Sequence, residues 1–132
     1  MILYAIPMPE TLQSFKAELF KAMAHPTRVQ ILELLLQGER SVTELQVALA
    51  AEGSTVSQQL AVLRTRDLVA TRKDGNLIYY RIRHRHVGLL LAVARRMFDE
   101  QVLQLRSLTD QDRPAASMAP AATKRRRVVR SA

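Results

Sequence analysis

Ser54-Thr-Val-Ser-Gln-Gln-Leu-Ala-Val-Leu-Arg64 is the stretch on which the fold turns. Val56, Leu60 and Leu63 recur at helical spacing, so a helix is expected here that buries one face and ends near Arg66. Gly53 is expected to make a tight turn before it, with Ser54 as the N-cap. The first two turns hold Ser54, Thr55, Ser57, Gln58 and Gln59, and no acid. Short hydroxyl and amide side chains at a helix start suit the major groove, where glutamine can pair bidentately with adenine and serine or threonine can meet a phosphate. A capped surface helix is the plainer explanation of the same residues.

Working outward, Ser41-Val-Thr-Glu44 spells a capping box that opens a preceding helix running to about Ala51. Two short helices joined through a glycine-containing turn form a helix-turn-helix candidate. Beyond Leu68 the period changes: Val69 to Arg72 and Leu77 to Arg83 are β-prone, and the intervening Asp74-Gly75 pair is a hairpin signal because both residues tolerate positive φ. A helix-turn-helix followed by a basic hairpin reads as a winged helix. Arg64 and Arg66 at the helix end, with Arg72 and Lys73 on the hairpin, are candidates to grip the sugar-phosphate backbone, which gives position rather than sequence. Asn76 at the tip could enter the minor groove, although a turn-forming role explains it equally well.

Further out, Leu12, Phe15, Leu19, Phe20 and Met23 predict a first helix over about 10–24. Pro26 opens a second, buried through Val29, Leu32, Leu35 and Leu36 and stopped by Gly38. A last helix is expected over 84–108, with His86, Leu90, Val93, Met97 and Leu105 near one face. Its length of roughly 37 Å exceeds what so small a core can cover, so part of it is expected to meet a second subunit beside the first helix. Leu12, Phe15, Leu19, Leu90, Val93 and Met97 are the expected dimer contacts. The fold class expected is thus mainly α with a small β-hairpin wing, a winged helix-turn-helix dimerised through its first and last long helices. Residues 1–112 are assigned to that DNA-binding and dimerisation domain, and 113–132 to a disordered basic C-terminal tail.

Charge divides the chain in the same places. The net charge of +8 over 132 residues resolves into −2 for 1–63, +7 for 64–96, −3 for 97–112 and +6 for 113–132. Two basic blocks suit a polyanion, because each neutralised phosphate releases counterions. Lys124-Arg-Arg-Arg-Val-Val-Arg130 is expected to add affinity without specificity. There is no cysteine, which excludes disulfides, thiolate metal sites and thiol nucleophiles and fits a reducing cytoplasm. Neither a signal peptide nor a membrane anchor is expected. Serines without a paired base, three scattered histidines and no glycine-rich phosphate loop argue against an enzyme. A sequence-specific regulator of double-stranded DNA is therefore weighed against an interaction module that binds protein or RNA.

The run Phe20-Lys-Ala-Met-Ala-His-Pro-Thr-Arg-Val-Gln-Ile-Leu, the stretch from Ser54 to Arg64, and Gly75 followed by Tyr79-Tyr80-Arg-Ile resemble the signature segments of the ArsR/SmtB repressors over roughly residues 12–105. The resemblance implies a winged-helix homodimer that binds an imperfect inverted repeat and represses transcription until an effector arrives, in the cytoplasm at the nucleoid. It also implies what is missing. Gln46 and Ala48 stand where thiolate sensors of the family carry a Cys-x-Cys pair. A second family metal site, built from the last helices of both subunits, aligns with His84, His86, Met97 and Glu100. His84, His86 and Glu100 could hold Zn²⁺, Ni²⁺ or Co²⁺ in a metal-responsive repressor, but Met97 is a poor ligand for those ions and Arg83 and Arg85 flank His84. No cofactor is the favoured expectation. His25, before a proline at a family position, is read as structural.

Overall fold

Thr11 opens the first helix, its hydroxyl accepting from the Ser14 amide at 3.0 Å, in the computed structural model, which describes residues 11–112. Helix α1 (Leu12–Met23) gives way to α2 (Pro26–Gln37), with His25 as N-cap. The His25 ring accepts the Thr27 amide through Nδ1 at 3.1 Å, and Pro26 in the first turn loses nothing by lacking an N–H. Gly38 ends α2 at φ +154, a conformation side chains disfavour.

The capping box forms in both directions: Glu44 N–H to Ser41 Oγ at 3.2 Å and Ser41 N–H to Glu44 Oε1 at 2.8 Å. It starts α3 (Val42–Leu49). Arg40–Ser41 also forms a short strand, β1, which pairs antiparallel with Tyr79 and Tyr80. Sequence reasoning missed this strand, because two residues are too short to show a period of two.

Helix α4 (Gly53–Thr65) starts two residues earlier than expected, and its N-cap is Glu52, with no side-chain capping bond. Ser54 therefore sits inside the helix and is not its cap. The left-handed position of the turn belongs to Ala50, at φ 51 and ψ 44. Gly53 has a different use: a Cβ there would run into the Gln46 side-chain amide, so the glycine lets α3 and α4 approach.

Strands β2 (Val69–Asp74) and β3 (Leu77–Ile82) pair from Val69 with Ile82 to Asp74 with Leu77. The turn is thus Gly75-Asn76 rather than Asp74-Gly75. Only Gly75 takes positive φ (63), the pattern of a II′ hairpin turn, and Asp74 extends the strand instead. The sheet order is β1-β3-β2. Helix α5 (His86–Asp112) begins after His84, whose carbonyl accepts the Val87 amide, and runs past the expected end at 108.

Val56, Leu60 and Leu63 of α4 are fully buried against Ile31, Leu32 and Leu35 of α2, Leu45 of α3, and Leu68, Val69 and Val87. Each such side chain removed from water contributes about 1.5–3 kcal/mol. Ile31 takes the place expected of Leu36, which is 42% exposed and lies against Gly88 instead. The described residues through Leu91 form one compact unit; a second begins at Ala92, and its described part is the remainder of α5. The tail at 113–132 lies outside the described residues. None of the described helices is long and apolar enough to cross a membrane.

Candidate nucleic-acid interface

Because Val56, Leu60 and Leu63 face the core, α4 turns Ser54, Ser57, Gln58, Ala61, Arg64 and Thr65 outward. These positions recur at three- and four-residue steps, so they share one face. Thr55 is half-buried at its edge. The nearest acids in sequence are Glu52 before the helix and Asp67 after it. Ser57, Ala61, Arg64, Thr65 and Tyr80 line a shallow open depression of about 440 Å³ between α4 and β3. The Arg64 side chain has no hydrogen bond or ion pair among the described residues, which leaves its guanidinium available to an anion. Tyr80 was not anticipated, since only the packing of β3 beside α4 brings it there.

Three expected contacts have partners within the chain. Gln59 is half-buried, and its Oε1 accepts from Arg28 Nη1 at 2.8 Å. Arg66, the C-cap of α4, pairs with Glu18 of α1 at 3.3 Å. Arg72 is the most heavily engaged: Nη2 lies 2.6 Å from Glu39 Oε1, Nη1 lies 3.6 Å from Asp74 Oδ2, and the guanidinium sits 4.8 Å from the Tyr79 ring centre. The hydrogen bond from Arg72 holds the Glu39 carboxyl below its ordinary 4.5, and Glu39 in turn raises Arg72. Arg72 thus clasps the hairpin to the segment before β1. Lys73 is exposed beside it, and Asn76 occupies the second turn position at the exposed tip. Sequence could not separate Arg72 from Lys73, because the partner Glu39 is remote along the chain.

Of the expected dimer positions, Leu12, Phe15, Val93 and Met97 are exposed, while Leu19 and Leu90 are half-buried against the core. Phe20, Leu89, Phe98, Leu103, Leu105 and Leu108 are exposed as well. His84, His86 and Glu100 are exposed, and among the described residues no three His, Asp or Glu side chains group as a metal site.

Residues 25–71 match the family described as bacterial regulatory protein, arsR family. An uncharacterized HTH-type transcriptional regulator of Mycobacterium tuberculosis is 49% identical over 89 residues, 67% of this chain and 78% of that protein. Its crystal structure superposes with a TM-score of 0.64, covering 74% of this chain and 97% of that one. A biofilm growth-associated repressor of Agrobacterium fabrum is 43% identical over 79 residues, 58% of this chain and 68% of its own. The solution structure of a homodimeric winged helix-turn-helix DNA-binding domain from Mycobacterium bovis is 37% identical, with a TM-score of 0.63 over 69% of this chain and 84% of that one.

Proposed function

The chain belongs to the ArsR family of bacterial transcriptional regulators, and from that premise we propose that it is a repressor that binds an inverted-repeat operator in double-stranded DNA as a homodimer. One observation carries the reading. The outward face of α4 offers Ser54, Ser57 and Gln58 at its start and an unpaired Arg64 at its end, with no acid between. Amide and hydroxyl groups on that face can meet base edges while Arg64 neutralises a phosphate. Lys73 and Asn76 at the exposed hairpin supply flanking contacts.

Dimerisation is supported by apolar side chains left in water. Phe15 and Leu12 on α1, and Val93 and Met97 on α5, expose surface that a second copy would cover. The homodimeric relative from Mycobacterium bovis favours the same arrangement, and the relative named a repressor favours the sign of the response. A palindromic operator would mirror the two-fold symmetry of such a dimer. The protein acts in the cytoplasm at the nucleoid, and no metal takes part in the reading.

The test is a mobility-shift titration of the full chain on the DNA upstream of its own gene, with scrambled duplex as competitor. Retention of the shift under scrambled competitor is the expected result. Loss of the complex at equal competitor concentration would overturn sequence-specific binding.

A further inference from the structure

Arg28 lies half-buried on α2, and its guanidinium reaches two other helices. Nε donates to the Ala22 carbonyl at 2.6 Å and Nη2 to the Lys21 carbonyl at 3.4 Å, both in the last turn of α1. Nη1 donates to Oε1 of Gln59, midway along α4, at 2.8 Å. The last carbonyls of a helix lack helical partners and carry the negative end of its dipole, so a cation is well placed there. A planar guanidinium aims its donors in a fixed fork, so it sets a direction between two helices that a lysine ammonium would leave loose. A second tie lies further along α4, where Arg66 Nη2 stands 3.3 Å from Glu18 Oε2 on α1. That ion pair is solvent-exposed and weak alone. Its separation from Gln59, about two helical turns, braces α4 against α1 at two points and so constrains angle as well as distance.

The geometry points to Arg28 as a positioning residue for operator recognition, transmitting the placement of α1 to α4 and thereby setting the distance between the two reading helices of a dimer. This rests on the proposed reading, in which α1 dimerises and α4 enters the groove. Half-site spacing is a geometric property of such a dimer. With the brace cut, each α4 reads the same bases but from a less defined place. Gln59 serves the brace, since its oxygen is already committed to Arg28.

The experiment is selection from a library of random DNA duplexes by the full-length protein and its variants, with dimer mass followed by sedimentation and folding by thermal melting. Wild type enriches one half-site in inverted repeat at one spacing. Arg28→Ala and Gln59→Ala enrich the same half-site as dimers of unchanged mass but lose the single spacing. Gln59→Glu keeps an oxygen facing Arg28 and retains both half-site and spacing. Should Arg28→Ala fail to fold, Gln59→Ala carries the test alone, because it leaves the α1 carbonyls satisfied. An unaltered single spacing in Gln59→Ala overturns the inference, as does a half-site changed in both Gln59 variants, which would make Gln59 a base reader. A wild-type protein that enriches no sequence overturns the proposed function itself, and the brace with it.

Discussion

In the proposed reading, Gln58 and Arg64 divide the work of the α4 face between reading and holding. Gln58 is exposed near the helix start, so Gln58→Ala is expected to cost about 1–3 kcal/mol of discrimination between operator and mutated operator if its contact is bidentate. Arg64→Ala is expected instead to weaken binding to every duplex and to flatten the slope of log K against log salt by about 0.9. Competition titrations at several salt concentrations separate the two; equal loss on all duplexes for Gln58→Ala would remove it from the reading set. Arg72 is expected to join neither group, because Glu39, Asp74 and Tyr79 engage its guanidinium within the chain. Glu39 is lowered by that pairing, so its contribution to wing stability is present above pH 4.5 and is lost as pH falls through the depressed value. Carboxyl NMR titration is expected to place Glu39 below 4.5 and to return it towards 4.5 in Arg72→Ala. No change on that substitution would show that the clasp does not form in solution.

The helix-turn-helix depends on local and tertiary devices of different strength. Ser41→Ala removes the cap from α3 and is expected to cost about 0.5–2 kcal/mol of stability. The backbone amide of Ser41 holds the Glu44 carboxyl below its ordinary value, so the carboxylate half of the box contributes stability above pH 4.5 that is lost as pH falls through that lowered value. Leu60→Ala removes a fully buried side chain from the centre of α4 and is expected to cost about 2–5 kcal/mol. Urea unfolding of the two variants provides the comparison; a smaller loss for Leu60→Ala than for Ser41→Ala would mean that the core closes over the gap.

For the whole molecule, the proposed dimer would cover the exposed apolar side chains of α1 and α5. Phe15→Asp and Val93→Asp are expected to yield monomers with weakened operator binding, checked by sedimentation at micromolar concentration. A wild-type monomer under those conditions would defeat the dimer proposal. Zn²⁺, Ni²⁺ or Co²⁺ is expected to leave operator affinity unchanged, because a thioether at Met97 is a soft ligand for these ions. Tight stoichiometric binding abolished by His86→Ala would reverse that expectation. Truncation after Asp112 removes six positive charges, and is expected to lower affinity for any duplex and the salt slope while leaving the half-site unchanged. An unchanged slope would exclude contact between tail and DNA.

The periods of Val56, Leu60 and Leu63, the capping box and the helix-breaking Pro26 and Gly38 were legible along the chain, because each acts over one or two turns of backbone. The same local chemistry located the hairpin, although its turn moved one residue once cross-strand pairing set Asp74 opposite Leu77. The outward polar face of α4 followed from its buried one. Tertiary structure alone decided which polar groups on and around that face remain free. Gln59 and Arg72 look like neighbours in role of Gln58 and Lys73 in sequence, yet Arg28 and Glu39, each roughly thirty residues away along the chain and brought close only by packing, give them hydrogen bonds within the protein. β1 and the Ala50 turn were hidden for the same reason: a two-residue strand exists only beside β3, and a left-handed alanine persists only where packing of α3 against α4 over-determines it.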